Sequence, residues 1–112
     1  MIVVMEKTMF LSVVGDSPVT RVLDFMITGR GLDYSLSDIA RNSTIGWTTL
    51  HRIWPDFEKN HLVVQTRTIG KAKLYKINQQ NSVAKELIRL YDTIIANKIP
   101  VRLAPKVILP KS

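Results

Sequence analysis

The sequence lacks cysteine altogether, which excludes disulfide bonds, thiolate metal sites and cysteine nucleophiles and is typical of an intracellular protein. It also lacks the run of roughly 20 apolar residues that a membrane-spanning helix needs, because Glu6 and Lys7 interrupt the longest apolar stretch. That stretch has neither a basic leading segment nor a small-residue cleavage site, so it does not predict a signal peptide. We therefore expect a soluble, cytoplasmic protein with no membrane partner.

Acidic residues are scarce, with 9 against 16 basic ones in a chain of 112 residues, and the net charge is +7. With 46% hydrophobic residues, this length is enough for one compact domain with a core. The charge is uneven: residues 1–34 carry a net −1, whereas residues 35–78 (seven basic, three acidic) and 79–112 (six basic, two acidic) each carry +4. This asymmetry favours a polyanionic partner, nucleic acid before an anionic membrane, and ordinary solubilising charge is the alternative.

Signatures of catalysis and metal binding are also missing. There is no glycine-rich phosphate loop, and the acidic residues Asp38, Asp56 and Glu58 fall on predicted helix caps or solvent faces. His51 and His61 have no third ligand that would complete a metal site. We therefore predict no enzymatic activity, no metal and no cofactor.

The first part of the chain predicts an apolar arm and a helix. Residues 1–15 are mostly apolar, and their segment MFLSVV suggests a short strand or an arm. Asp16 or Ser17 can then cap a helix whose first residue is Pro18, where the missing N–H costs nothing. Apolar residues at three- and four-residue spacing continue this helix to about Thr28.

Two further helices are predicted next. Ser35 and Asp38 form a possible capping box for a helix of about two turns. From Ile45 onward, apolar residues again recur at helical spacing, although Pro55 lies among them. Because the apolar stripe continues to Phe57, we predict one helix, kinked near the proline, rather than a loop.

The remaining sequence predicts a β-hairpin, a long helix and a tail. Two strand-like runs, one from Val63 and one ending at Ile77, flank a turn at residues 69–71. Asn81 or Ser82 can cap a last helix over residues 82–97. Residues 99–112 contain three prolines, so an extended tail is predicted there instead of a helix.

Two short helices followed directly by a hairpin make a helix-turn-helix with a wing. Residues 35–78 resemble the winged helix-turn-helix of small bacterial and archaeal transcriptional regulators of the ArsR/MarR-like group, and above all its archaeal members. The core positions of that pattern carry apolar residues here, namely Leu36, Ile39, Ala40, Ile45, Leu50, Trp54, Phe57 and Leu62. The resemblance implies an α+β fold: a winged helix-turn-helix domain over residues 16–78, preceded by the arm and followed by a C-terminal helix over residues 79–98.

The sequence departs from this pattern at three positions. Ser43 replaces a usual apolar residue, and Thr44 replaces a usual turn glycine, so a less regular turn is expected. His61 stands where a glycine normally ends the recognition helix in the left-handed conformation, which Asn60 could adopt instead. The cysteine and histidine metal sensors of ArsR-type repressors are absent, so metal sensing is not implied.

The resemblance implies that the second helix of the pair reads the major groove and that the wing contacts the DNA backbone. The apolar stripe leaves polar side chains facing outward, and the half of that helix before Pro55 is rich in donors and free of acidic residues, although partial burial is an alternative for Trp47. The predicted DNA contacts are Thr44, Trp47, Thr48, Thr49, His51 and Arg52, together with Arg67, Lys71 and Lys73 of the wing. We predict a sequence-specific, double-stranded-DNA-binding transcriptional regulator with an unknown effector. The alternatives are a winged-helix protein-interaction module and a non-specific architectural DNA-binding protein.

The last helix is apolar over more than one face, which a core of this size does not fully bury. We therefore predict a homodimer that uses Leu87, Leu90, Tyr91 and Ile94. The alternative is that the N-terminal arm covers this face within one chain.

Overall fold

The computed structural model describes residues 8–103, with side chains described for residues 8–97. These residues form an α+β fold of five helices and three strands. In chain order they are α1 (Met9–Val14), α2 (Pro18–Thr28), β1 (Tyr34–Ser35), α3 (Leu36–Ser43), α4 (Trp47–Lys59), β2 (Val63–Ile69), β3 (Ala72–Ile77) and α5 (Ser82–Leu103). None of the helices in this part of the chain is long and apolar enough to cross a membrane.

A short helix, α1, occupies the segment for which we predicted a strand or an arm, so the strand is wrong for residues 9–14. Thr8 caps the helix by accepting a hydrogen bond from the N–H of Leu11 (3.1 Å), and Gly15 ends it at φ 99°. Phe10 and Leu11 are buried against the core. The segment has 6 residues, too few for apolar periodicity to distinguish a helix from a strand. The part of the predicted arm at residues 1–7 lies outside the described residues.

The helix α2 confirms the prediction at both ends. Ser17 is its N-cap and forms a reciprocal capping box with Thr20, and Pro18 takes the first position. Its fully buried side chains form the centre of the core, namely Val22, Met26 and Ile27. Ser35 is confirmed as the N-cap of α3, because its hydroxyl accepts from the N–H of Asp38 (3.2 Å). The second bond of the predicted capping box is not observed, since the Asp38 carboxylate pairs with Arg41 instead.

The helix α4 is one continuous helix with Pro55 inside it, as predicted. Leu50, Trp54 and Phe57 are buried on its core-facing side, so the apolar stripe dictates its orientation. The kink at Pro55 stays a prediction.

The end of α4 differs from our expectation for Asn60. His61, not Asn60, adopts the left-handed conformation, with φ 58°. The N–H of His61 donates to the carbonyl oxygen of Glu58 (3.0 Å), and the N–H of Leu62 donates to the carbonyl oxygen of Phe57 (3.0 Å). This is the hydrogen-bond pattern of a Schellman motif, which needs a left-handed residue at this position and not one residue earlier.

The sheet is antiparallel, with strand order β1-β3-β2, and the hairpin is confirmed. We call β2, β3 and their turn the wing. The third strand, β1, was not predicted, because its 2 residues are defined by pairing with β3 and not by any local pattern. Helices α2 to α4 followed by the wing make this fold a winged helix-turn-helix.

The last helix, α5, is longer than predicted. Asn81 caps it through the N–H of Ala84 (2.9 Å), and it continues through Pro100 to Leu103. The prediction of an extended tail is therefore wrong for residues 99–103. A proline removes one backbone hydrogen bond from a helix, which weakens the helix without always ending it. The rest of the predicted tail, residues 104–112, lies outside the described residues.

Candidate nucleic-acid interface

The turn between α3 and α4 is regular, although it has no glycine at its left-handed position. Thr44 takes that conformation, with φ 57° and ψ 48°. The N–H of Thr44 donates to the carbonyl oxygen of Arg41 (3.2 Å), and the N–H of Ile45 donates to the carbonyl oxygen of Ala40 (3.1 Å). These two bonds form a Schellman motif. The less regular turn expected from Thr44 is therefore not observed, although a β-branched residue in this conformation carries strain on the order of 1–3 kcal/mol.

Arg21 of α2 forms a hydrogen bond with this turn, which we did not predict from the sequence. Its Nη1 donates to the carbonyl oxygen of Thr44 (3.0 Å). Its Nε and Nη2 donate to the two carboxylate oxygens of Asp16, at 2.6 and 3.2 Å. The bond to Asp16 raises the pKa of Arg21 above its ordinary value. Arg21 therefore links Asp16, which precedes α2, to Thr44, which lies in the turn between α3 and α4.

The N-terminus of α4 is open. Gly46 is its N-cap, with no side chain to cap the helix, and the first turn contains no acidic residue. The free N–H groups of the first turn and the positive end of the helix dipole together favour an anion at this position. A Cβ added to Gly46 would meet no atom within 4 Å, so nothing blocks the approach.

The outward side of α4 carries the side chains that we predicted to face DNA. Trp47 is 52% exposed, which argues against its being a packing residue. Thr48, His51 and Arg52 are exposed, and Thr49 is half-buried. The rings of Trp47 and His51 meet edge to face, with centroids 4.2 Å apart. The two rings thus lie side by side on successive turns of the exposed side of α4.

A cleft of about 240 Å³ lies between the wing, the start of α3 and Trp47 at the start of α4, and we call it the wing cleft. Three predicted DNA-binding residues, Trp47, Lys71 and Lys73, line it together. The rest of its lining consists of Ser35, Leu36, Ser37, Ala72 and Tyr75. Its lining residues therefore carry two ammonium groups, three hydroxyls and an exposed indole, and none of them is acidic. Such a lining suits a phosphodiester backbone.

Arg67 is set apart from the lysines of the wing cleft. It pairs with Leu74 across the hairpin, whereas Lys73 pairs with Thr68. Because neighbouring residues of a strand point to opposite faces, Arg67 and Lys73 lie on opposite faces of the wing. Arg67 donates to both oxygens of Asp33, at 3.0 and 3.2 Å. The hydrogen bonds from Arg67 and then Thr66 lower the pKa of Asp33 below its usual value.

The four residues predicted for dimerisation differ in burial. Ile94 is buried in the core of its own chain, and Leu87 is partly buried against that core. Tyr91 contacts Phe10 of α1, with ring centroids 5.4 Å apart, and its hydroxyl lies 2.6 Å from that of Thr28. Only Leu90 of the four is exposed, at 41%. The N-terminal segment therefore covers part of this face within one chain, which was the alternative reading.

No protein-family model matches the chain, and no curated protein matches it. Two solved structures are similar in fold. The crystal structure of NadR in complex with 4-hydroxyphenylacetate has a TM-score of 0.56 and 17% identity, over 87% of this chain and 70% of that one. The crystal structure of Sso10a-2, a DNA-binding protein from Sulfolobus solfataricus, has a TM-score of 0.49 and 11% identity, over 82% of this chain and 96% of that one. At such identities the likeness concerns the fold alone.

Proposed function

We propose that this protein is a sequence-specific, double-stranded-DNA-binding transcriptional regulator. The observation that carries the proposal is one continuous surface that includes the open N-terminus of α4, the exposed side chains of its acid-free half before Pro55 and the wing cleft. Phosphates bind to free helix N–H groups and to lysines, whereas base edges are read by side chains of a helix in the groove.

In this proposal α4 enters the major groove. Its 13 residues span about 20 Å, and the groove is roughly 12 Å wide, so the exposed first turns fit into it. Arg52 can donate two hydrogen bonds to a guanine or bind a phosphate. Thr48 and Thr49 can contact a phosphate or a thymine methyl group, and His51 adds a further polar contact. Thr44, which is exposed beside the start of α4, contacts the DNA backbone in this proposal.

The wing cleft holds the DNA backbone next to that groove. Lys71 and Lys73 neutralise phosphates, and Trp47 covers the sugar with its exposed ring. Arg67 keeps 61% of its side chain exposed while it is bound to Asp33, so its free N–H groups can add a phosphate contact on the other face of the wing. These contacts fix the register of α4 and supply the salt-dependent part of the affinity.

Homodimerisation is part of the proposal, because two recognition helices read paired half-sites one DNA turn apart. Two exposed apolar residues support α5 as the interface: Leu90 and Val83, which is 56% exposed. They are seven residues apart and so lie on one side of the helix. Leu87, between them in sequence, extends this strip, whereas Ile94 supports it from within the core.

The proposal is tested by separating base reading from phosphate binding. Duplexes selected from a random library are compared with random duplexes at several salt concentrations. Arg52→Ala should weaken binding to selected DNA about tenfold or more and change random binding much less. The double variant Lys71→Ala/Lys73→Ala should weaken both and reduce the salt slope by about 2. Lys85→Ala, an exposed lysine on α5, is the control that should change neither.

The same experiment gives results that contradict the proposal. If Arg52→Ala lowered the affinity for selected and random duplexes equally, the protein would be a non-specific architectural DNA-binding protein. An unchanged salt slope in the lysine double variant would remove the wing from the interface. If the unaltered protein bound no duplex, the alternative function, a winged-helix protein-interaction module, would be favoured. A palindromic sequence among the selected duplexes would support the dimer.

A further inference from the structure

Residues 78–81, which we call the link, connect β3 to α5 and are tied to the winged helix-turn-helix. The link closes on itself, because the N–H of Asn81 donates to the carbonyl oxygen of Asn78 (3.1 Å). Three of its side-chain amides, those of Asn78, Gln79 and Asn81, donate to backbone carbonyls outside the link. A link without such bonds could act as a hinge and let α5 change direction.

Three consecutive carbonyl oxygens at the C-terminal end of α4 accept bonds from the link. The carbonyl oxygen of Asn60 accepts from Nδ2 of Asn81 (3.3 Å). The carbonyl oxygen of His61 accepts from Nδ2 of Asn78 (3.0 Å), and that of Leu62 accepts from the backbone N–H of Asn78 (2.8 Å). The start of α5 is therefore fixed to the end of the helix that we propose enters the major groove.

The two asparagines of the link use both ends of their amides. Oδ1 of Asn81 accepts from the N–H of Ala84 as the cap of α5 (2.9 Å), and Oδ1 of Asn78 accepts from the N–H of Gln80 (3.1 Å). Aspartate caps a helix as well as asparagine does but has no donor, and serine has a single oxygen for both tasks. Capping alone therefore does not account for the two amides.

A second attachment holds α5 further along its length. The hydroxyl of Tyr91 lies 2.6 Å from that of Thr28, and Nη2 of Arg30 donates to Oδ1 of Asp92 (2.9 Å). At 1.5 Å per residue, these contacts lie about 15 Å along the helix from Asn81. Because two separated points define the direction of a helix, α5 has one orientation relative to α4.

Resting on the proposed function, we propose that Asn78 and Asn81 are positioning residues that set which spacing of paired half-sites this protein binds. In a dimer joined through α5, the angle between α5 and α4 determines the distance and the relative rotation of the two recognition helices. One added base pair moves a half-site by about 3.4 Å and turns it by about 35° around the duplex. A fixed α5 does not follow such a shift, whereas an α5 released from the link follows it.

The test measures affinity for duplexes that carry two selected half-sites at different spacings, and for a duplex with one half-site. The unaltered protein should bind the best spacing about tenfold more tightly than spacings one or two base pairs away, because a wrong spacing prevents both helices from binding together. Asn78→Ala/Asn81→Ser removes both amide donors and keeps a hydroxyl to cap α5. It should bind the best spacing about fivefold more weakly and the other duplexes as before, so the preference falls to about twofold.

Asn60→Ala is the matched control, because the Asn60 side chain donates within α4, to the carbonyl oxygen of Asp56 (2.9 Å), while its backbone carbonyl still accepts from Asn81. It should keep the spacing preference of the unaltered protein. If the double variant does not fold, Asn81→Ser alone, which keeps the cap, should lower the preference in the same direction.

An unchanged preference in the variant that folds would overturn the positioning role. An equal loss of affinity at every spacing, which a merely less stable fold would give, would overturn it as well. If the unaltered protein bound duplexes without any spacing preference, the positioning role would be wrong while the proposed DNA binding would stand. Absence of duplex binding would overturn both.

Discussion

A substitution at the start of α4 should move folding stability and DNA affinity in opposite directions. Gly46 has extended backbone angles (φ −73°, ψ 156°), which any residue can adopt, and it provides no side-chain cap. A Cβ at this position meets no atom within 4 Å. Aspartate and asparagine therefore both fit, and the side-chain oxygen of either can accept a hydrogen bond from the free N–H groups of the first turn.

The two substitutions differ only in charge, which allows the expected effect to be worked out. Each should stabilise the fold by a few tenths of a kcal/mol relative to glycine. Gly46→Asp also places a negative charge where we propose that a DNA phosphate binds. Two like charges 4 Å apart repel by about 1 kcal/mol in bulk water and about 4 kcal/mol at an effective dielectric constant of about 20. For a partly solvated interface we expect about 1.5–3 kcal/mol, which is about 10- to 100-fold in affinity.

The assay pairs thermal unfolding with fluorescence anisotropy of a labelled duplex at low salt. Gly46→Asp should unfold at a temperature equal to or above that of the unaltered protein and bind DNA about tenfold or more weakly than Gly46→Asn. Raising the salt concentration should narrow this difference, because salt screens the repulsion. Equal affinities of the two variants at low salt would refute the placement of a phosphate at the N-terminus of α4.

Two further predictions concern stability. Ser43 is 4% exposed, and its hydroxyl has no hydrogen-bond partner among the described residues; Ser43→Ala should therefore raise the free energy of unfolding by about 1 kcal/mol in chemical denaturation. The exposed Ser37→Ala is its control and should change stability by less than about 0.5 kcal/mol. Burial raises the pKa of Asp24, which a hydrogen bond with Thr8 lowers in part. The native state therefore binds this proton more tightly than the unfolded chain, and Asp24 costs stability once the pH rises above its unfolded pKa. Asp24→Asn should raise the melting temperature at pH 7 and have little effect near pH 2; an equal gain at both would contradict this.

The parts of the fold that were predicted correctly depend on local signals. Ser17, Pro18 and a following glycine mark the ends of α2 within a few residues of sequence, and the apolar stripe orients α4 in spite of Pro55. The six residues of α1 carry no such distinguishing period. The strand β1 exists only because β3 lies beside it. A local preference also could not decide between two adjacent residues for the left-handed end of α4.

The candidate site was predictable as a set of residues and not as an arrangement. Outward-facing side chains of α4 followed from the stripe. The meeting of Trp47 with Lys71 and Lys73 in one cleft depends on hairpin register and on packing of the wing against α4, which sequence spacing does not contain. The pairing of Arg67 with Asp33 joins residues 34 positions apart. The hydrogen bond from Arg21 to the carbonyl of Thr44 likewise joins residues that are far apart in sequence.

The position of β2 at the edge of the sheet has a consequence for solubility. A long edge strand rich in branched residues is a template on which another chain can add a strand and begin to aggregate. β2 has 7 residues and pairs only with β3, so it carries this risk. A bulge between Gln65 and Arg67 interrupts its ladder, and the Thr66 hydroxyl turns inward to Asp33 and to the carbonyl of Leu74. The charged Arg67 lies at the same place. Together these features interrupt the free edge of β2, so that another chain finds no continuous ladder on which to add a strand.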